Sequence, residues 1–522
     1  MKTSTTGARA MLVLCGMTAG AWAQNGSQLR DWSAKPGEAR AKPSLACGDL
    51  RGLTGYEFSV ITSAVMAATA EVPEHCRVSG QILPGIRFEV NLPTAWNRRL
   101  YMFGNGGFAG ESFEGPPRVA HRGRALGHGF AVASTDTGHD GVAEPLASFA
   151  ADRQKLLDYA FRSLGTTAET AKRIVRAYYG APPARSYFDG CSTGGRQGLI
   201  LAQRFPEAFD GIVVGAPVLN FSGTMVSYAW TAQALASAPV PYSKLGLLAA
   251  RVYSACDARD GLEDGLIDDP RRCDFRPARD LPKCPGETDS DACFTARQIE
   301  TLDRIYADVA GQGRRIFPGW PVGAEIAGPN GRSGWEPWIT RESGRTIAVN
   351  FAESFFRYMG FSEKDPTWEI TRFQFDRDPA RLEWISGVLN ATDPDLSRFR
   401  ARGGRIVMYY GWADPALNAL MGVEYYEQVA RRMGASTTEF FRLFMVPGMF
   451  HCAGGVGCGT FDALTPLIRW VEDGAAPDRI LAARVAGGKT VRTRPLCPYP
   501  QVARYQGKGS IDEAAGFTCV AP

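Results

Sequence analysis

The sequence predicts an α/β fold: a mostly parallel β-sheet with helices on both faces, interrupted by one large inserted lid. Three observations carry this. Short β-branched and aromatic runs, each ending in Gly, Pro or polar residues, alternate with helical stretches through the first part of the chain. The rhythm stops near residue 222 and returns near residue 404. Between these points the composition changes to four cysteines (Cys256, Cys273, Cys284, Cys293), abundant Asp, Pro and Gly, and tryptophans that include Trp320, Trp335, Trp338, Trp368 and Trp384. Strand–helix alternation is the mark of parallel strands, whose crossovers lay helices over the sheet.

Taken in order, "GIRFEVNLP", "RLYMFGNGG", "FAVASTDTG", "RSYFDGCS" and "GIVVGAP" read as strands. The stretches 149–180 and 194–209 between them carry helical apolar periodicity. After the insertion, "GRIVMYYGWADP" and "TEFFRLFMVPGMFH" resume the pattern. The chain thus divides into residues 1–23, an export signal; 24–221, the first part of the sheet domain; 222–403, the lid; and 404–522, the second part.

The export signal rests on Lys2 and Arg9, the apolar stretch "AMLVLCGMTAGAWA", and Ala21-Trp22-Ala23 before Gln24, which fits cleavage after Ala23. The apolar stretch is shorter than the ~18 residues a membrane span needs. These features predict a secreted or periplasmic protein. A net charge of +4 over 522 residues, with no dense Lys/Arg block, implies neither nucleic acid nor membrane as a partner. Removal of the signal takes Cys15 from the twelve cysteines and leaves eleven. In an oxidising compartment an odd count suggests five disulfides and one spare thiol. Spacing favours the short loops Cys256/Cys273 and Cys284/Cys293 and leaves the other pairings open. No paired Cys/His spacing points to zinc.

Gly190-Cys191-Ser192-Thr193-Gly194 satisfies G-x-S-x-G between a strand and an amphipathic helix, the setting of a nucleophile elbow in an α/β-hydrolase. The serine sits at a helix N-terminus, where free N–H groups and the helix dipole favour a developing oxyanion. A serine needs a base, and in this fold the order is Ser, acid, His. Of the five histidines only His451 follows Ser192. Asp414, in the turn after an apolar strand, is the acid with the right placement, to hold the imidazole tautomer and stabilise the imidazolium. If Ser192 and His451 are in reach of each other, Cys191 and Cys452 beside them are close too, and an oxidising compartment joins them. The oxyanion donors are the backbone N–H of Thr193 and one from "YMFGNGGFAG", with Gly107 favoured and Gly106 next.

"GCSTGG", Asp414 and "HC" at 451–452 resemble the tannase and feruloyl esterase family, and the resemblance runs over the whole mature chain. That family includes tannases, feruloyl esterases and a bacterial mono(2-hydroxyethyl) terephthalate hydrolase. The resemblance implies the pairs Cys47–Cys76, Cys191–Cys452, Cys256–Cys273, Cys284–Cys293 and Cys497–Cys519, with Cys458 left free. The loop "CDARDGLEDGLIDDPRRC" is rich in carboxylates but lacks EF-hand spacing, so on its residues alone it is either a cation loop or a solvated acidic one. The resemblance implies a structural Ca2+ held by Asp257, Asp260 and Asp264 with the backbone oxygens of Leu262 and Leu266, and Asp268 as a further ligand.

The lid is expected to set specificity. Arg357, Phe361 and Ser362 in "ESFFRYMGFSEKDPTW", with Leu417 after the acid, are candidates to hold a planar aromatic acyl group. Equally, the aromatics can form the lid's own small core, with Arg357 as an internal ion-pair partner. The function expected is a secreted serine esterase acting on a small aromatic ester, such as a feruloyl, hydroxycinnamoyl or galloyl ester. The other readings are a terephthalate monoester hydrolase and, from a different class, a non-catalytic binding protein on a hydrolase scaffold.

Overall fold

A computed structural model describes residues 31–33, 40–286, 288–325 and 334–522. The export signal and its cleavage after Ala23 lie outside the described residues. Nine strands form one sheet: β1 (Phe58–Met66), β2 (His75–Ile82), β3 (Ile86–Pro93), β4 (Arg99–Phe103), β5 (Ala131–Thr135), β6 (Arg185–Cys191), β7 (Gly211–Gly215), β8 (Arg405–Gly411) and β9 (Phe441–Val446). Their spatial order is β1-β2-β3-β5-β4-β6-β7-β8-β9. From β5 to β9 every neighbour is parallel, whereas β1, β2 and β3 are joined antiparallel and β3 meets β5 antiparallel.

The parallel strands are buried on both faces, which is why they read as continuous apolar runs. Successive side chains alternate between two cores. Phe188, Ile406 and Met408 join the larger one, and Tyr187, Val407 and Tyr409 the smaller one on the other face. Helices α1 (Pro116–Gly127) and α7 (Leu464–Asp473) supply the smaller core. Helices α2 (Ser163–Tyr179) and α3 (Thr193–Arg204) supply the larger. The lid follows β7 and ends before β8. Its helices α4 (Phe221–Ser237) and α5 (Ile347–Phe355) bury Phe221, Met225, Ala352 and Phe355 in the larger core, so lid and sheet share one apolar interior. Helix α6 (Ala419–Met433) follows β8.

Two features depart from the expected rhythm. β1 and β2 precede the first strand read from the sequence; β1 lies at the sheet edge with alternating exposure, and its Ser, Thr and Ala residues give little apolar signal. After α7 the chain leaves the main sheet for small antiparallel ribbons, Ile480–Ala486 with Lys489–Leu496 and Val502–Tyr505 with Phe517–Val520. Five disulfides join Cys47–Cys76, Cys191–Cys452, Cys256–Cys273, Cys284–Cys293 and Cys497–Cys519, and Cys458 is a buried free thiol. Such a set fits an oxidising compartment. Among the described residues no helix is long and apolar enough to cross a membrane.

Candidate active site

Strand β6 delivers Ser192 at φ 64°, ψ −121°, a backbone that non-glycine residues adopt only when their surroundings enforce it. The surroundings here are glycine. A Cβ on Gly190 would lie 2.5 Å from the Gly194 carbonyl carbon, and one on Gly194 would lie 3.2 Å from the Asn105 carbonyl oxygen. The turn closes only because both lack side chains. Ser192 N–H donates to Gly215 O (3.0 Å), and Ser192 O accepts from Arg196 N–H (3.0 Å), which starts α3.

Asp414 leaves the end of β8 and is 1% exposed. Its Oδ1 accepts the N–H groups of Ala416 (2.8 Å) and Leu417 (2.9 Å), and its Oδ2 lies 2.8 Å from His451 Nδ1. Both carboxylate oxygens are therefore committed. A proton on His451 Nδ1 is fixed by Asp414, which leaves Nε2 as the proton acceptor. Nε2 lies 3.7 Å from Cys452 Sγ, and the Trp338 ring meets the imidazole edge-on at 5.8 Å. Cys191 and Cys452 are bonded, with Cα atoms 6.0 Å apart across 261 residues, so the positions next to Ser192 and His451 are covalently tied.

The two glycine candidates for the oxyanion hole are told apart by their hydrogen bonds. Gly106 N–H donates to Glu111 Oε1 (2.6 Å) and is spent. Gly107 N–H has no protein partner among the described residues, and the carbonyls on either side of it are held. Gly106 O accepts from Ala109 N–H (2.8 Å); Gly107 O accepts from the hydroxyls of Thr193 (2.5 Å) and Tyr159 (3.1 Å). Gly107 has φ 51°, a conformation glycine adopts readily. Thr193 is the first residue of α3, where the N–H has no intrahelical acceptor. Ser192, Gly106 and Gly107 share a cavity of about 440 Å³, walled by Pro116, Pro117, Ile347 and Phe351 and reaching Asp189 and His121.

An elbow serine, an Asp-held histidine and paired N–H donors are an acyl-transfer constellation, and comparison with known proteins gives the family. The family described as "Tannase and feruloyl esterase" matches residues 70–520. The chain belongs to that family. It is 36% identical to the mono(2-hydroxyethyl) terephthalate hydrolase of Piscinibacter sakaiensis, over 87% of this chain and 86% of that protein. It is 31% identical to the probable feruloyl esterase B-1 of Aspergillus oryzae, over 83% and 81% of the two chains. The crystal structure of feruloyl esterase B from Aspergillus oryzae superposes with a TM-score of 0.79 at 26% identity, covering 90% of this chain and 98% of that one. The fold is that of the α/β-hydrolase esterases, and this member of the tannase and feruloyl esterase family is a carboxylic ester hydrolase.

The structure places the four expected acyl-binding residues away from the cavity lining. Arg357 donates to Glu353 (2.8 Å) and to the Trp368 carbonyl (2.7 Å). Phe361 is buried, stacked on Phe356 at 5.4 Å with Arg381 over its other face. Ser362 is exposed. Leu417 is buried, its N–H given to Asp414. The lid aromatics Phe356, Phe361, Trp368 and Phe373 pack on one another within the apolar interior that the lid shares with the sheet. Phe351, on α5, lines the cavity that holds Ser192. Nothing in its spacing distinguished it from Phe355, which is buried inward.

In the acidic loop, Asp257 accepts from the N–H groups of Asp264 (3.0 Å) and Gly265 (2.9 Å), and Asp260 and Asp264 accept from Leu262 (2.9 Å) and Leu266 (3.2 Å). Arg494, from the C-terminal ribbon, pairs with Asp264. Burial, then the neighbouring Asp260 and Asp264, push the Asp268 carboxyl well above its ordinary range, and burial raises Asp260 as well. Among the described residues no group of three or more His, Cys, Asp or Glu side chains is arranged to hold a metal ion. The donor set is nonetheless all hard oxygen and crowded with like charge, the chemistry that suits Ca2+ over zinc or copper.

Proposed function

We propose that this chain is an exported serine esterase that hydrolyses esters of aromatic acids through an acyl-enzyme on Ser192. The reading is carried by the 2.8 Å contact between Asp414 and His451 Nδ1, next to a disulfide that ties the histidine's neighbour to the nucleophile's. His451 Nε2 takes the Ser192 hydroxyl proton as Oγ attacks the ester carbonyl. The N–H groups of Gly107 and Thr193 receive the oxyanion, which carries charge only as the tetrahedral species forms. His451 then gives its proton to the departing alcohol. Water, deprotonated by the same nitrogen, releases the aromatic acid and restores Ser192.

Relatives named as feruloyl esterase and as mono(2-hydroxyethyl) terephthalate hydrolase support an aromatic acyl group. The engagement of Arg357 by Glu353 disfavours its pairing with a terephthalate carboxylate and favours a phenolic acid. Initial rates on methyl ferulate, methyl gallate and mono(2-hydroxyethyl) terephthalate test this: methyl ferulate is expected to lead, and turnover of none of the three contradicts the reading. The intact set of Ser192, Asp414 and His451 argues against a non-catalytic binding protein, which covalent labelling of Ser192 by a fluorophosphonate excludes directly.

Two further parts belong to this reading. Residues 1–23 direct export and are removed after Ala23, supported by their charge and apolar pattern and by the five disulfides. A calcium ion is held by the loop closed by Cys256–Cys273, with Asp257, Asp260, Asp264 and Asp268 and the carbonyls of Leu262 and Leu266 as its oxygen donors. When bound it neutralises the crowded carboxylates and stiffens the lid; it takes no part in ester chemistry.

A further inference from the structure

The cavity at Ser192 does not end beneath the lid. Its lining continues past Gly190 to Asp189, His121 and Phe103. Asp189 alternates with Phe188 along β6, so it lies on the Tyr187 side of the sheet, the side of the smaller core. A carboxylate in the inner part of a strand whose neighbours Ser186, Tyr187, Phe188 and Gly190 are buried demands a reason, since an ionised group there costs free energy unless it is partnered.

Asp189 is only half satisfied. Its Oδ2 accepts the Tyr101 hydroxyl at 3.2 Å, and its Oδ1 has no protein partner among the described residues. Burial, with the charge of Asp462 adding to it, raises this carboxyl to about 7. His121 stacks on Phe103 at 5.3 Å, and its Nδ1 faces Arg124 Nη2 at 3.4 Å. Burial first, then Arg124 and Arg118, hold its pKa near 3, so the ring is neutral. A neutral imidazole whose Nδ1 faces an arginine N–H carries its proton on Nε2, and Nε2 has no protein partner among the described residues. Above about pH 7, where Asp189 is ionised, the far end of the cavity therefore offers one acceptor and one donor. A hydroxyl group, which donates once and accepts, satisfies both.

The remaining charges at this end do not suit an anion. Arg118 gives Nη2 to the Thr135 carbonyl (2.9 Å) and Nη1 to Glu111 (3.4 Å), and Glu111 is further engaged by Asn105 and Gly106. A second carboxylate here would meet Asp189 and Glu111, with the Arg118 guanidinium already shared and Arg124 turned to His121 Nδ1. The walls between, Phe103, Pro116, Pro117 and Phe351, are flat and apolar. Length adds a constraint: Asp189 precedes Ser192 by three residues, at most about 10 Å of extended strand. A hydroxycinnamoyl group, with its vinyl spacer, fits within that reach.

We propose that Asp189 and His121 form the specificity end of the acyl pocket, hydrogen-bonding the para ring hydroxyl of a hydroxycinnamoyl ester whose carbonyl lies at Ser192. This rests on the esterase reading above. The test is the ratio of kcat/KM for methyl 4-hydroxycinnamate over methyl cinnamate, which differ only in that hydroxyl. The native enzyme is expected to prefer the hydroxylated ester by tenfold or more, because the analogue leaves two buried polar groups unpaired. In Asp189→Ala and in His121→Phe, which keeps an aromatic ring on Phe103, the ratio is expected to fall toward one. A native ratio near one, or a ratio unchanged in both variants, overturns the proposal while leaving the esterase reading intact. If Asp189→Ala does not fold, His121→Phe alone decides. Turnover of neither ester by the native enzyme overturns the esterase reading and this inference with it.

Discussion

Two regions of this chain are closed by disulfides and place aspartates in the interior, and they handle the charge in opposite ways. At the catalytic junction a single buried carboxylate, Asp414, has every oxygen occupied by the fold itself, through two backbone N–H groups and the His451 ring. In the acidic loop Asp260, Asp264 and Asp268 crowd together, and the fold relieves them only in part, with backbone N–H groups and Arg494. The bridges differ accordingly. Cys191–Cys452 joins elements 261 residues apart and ties the neighbours of the proposed nucleophile and base, whereas Cys256–Cys273 closes a local loop of 17 residues. The first region is preorganised by the chain alone; the second keeps a surplus of negative charge that the proposed calcium ion would neutralise.

The largest expected effect breaks the first region. Asp414→Asn preserves shape but lets the imidazole adopt the wrong tautomer, and kcat on methyl ferulate should fall by about 10³–10⁴-fold. Melting temperature should change far less than activity. A loss below tenfold would remove Asp414 from the mechanism.

Next in size is the staple. Replacing both Cys191 and Cys452 by Ser should cost about 2–5 kcal/mol in denaturant unfolding, because a long loop is released. It should also lower kcat about tenfold or more, as nucleophile and base lose register. The same change at Cys256 and Cys273 should cost less stability and leave kcat near native. Equal loss of kcat in the two double variants would dissolve the contrast drawn above.

The proposed calcium ion at the acidic loop gives the next test. Addition of a chelator to protein prepared with Ca2+ should lower the melting temperature by a few degrees and leave kcat at 25 °C within about twofold, since bound ligand stabilises the folded state by mass action. The smallest effect concerns Arg494, whose guanidinium pairs with Asp264, one of the proposed calcium ligands. Arg494→Gln should widen the gap between calcium-loaded and chelated melting temperatures by about 1–2 °C. A narrower gap would mean that Arg494 and the ion do not share a role.

Much of the junction is legible in the sequence because its signals are local. Ser192 stands in a glycine-flanked turn between strand and helix, Asp414 follows an apolar strand, and His451 is the sole histidine downstream. The cysteines next to Ser192 and His451 translate one proximity into another. The choice between Gly106 and Gly107 was not local: it turns on Glu111 taking the Gly106 N–H, a contact that no spacing announces. The lid aromatics show the same gap. Phe361 and Arg357 carry the right chemistry for an acyl pocket, yet tertiary packing spends them inside the lid and puts Phe351 in the lining of the Ser192 cavity. Asp189 carries a local signal, a lone carboxylate within the largely buried strand "RSYFDGC". The C-terminal ribbons are less legible because Lys489–Leu496 and Val502–Tyr505 are exposed over much of their length and lack the apolar runs that mark the central sheet.

The most direct test of the account is Ser192→Ala, assayed on methyl ferulate and with a fluorophosphonate probe, alongside circular dichroism. The account predicts native-like spectra, turnover reduced to background, and probe labelling seen in the native protein and lost in the variant. Sustained turnover by a folded Ser192→Ala protein would contradict it.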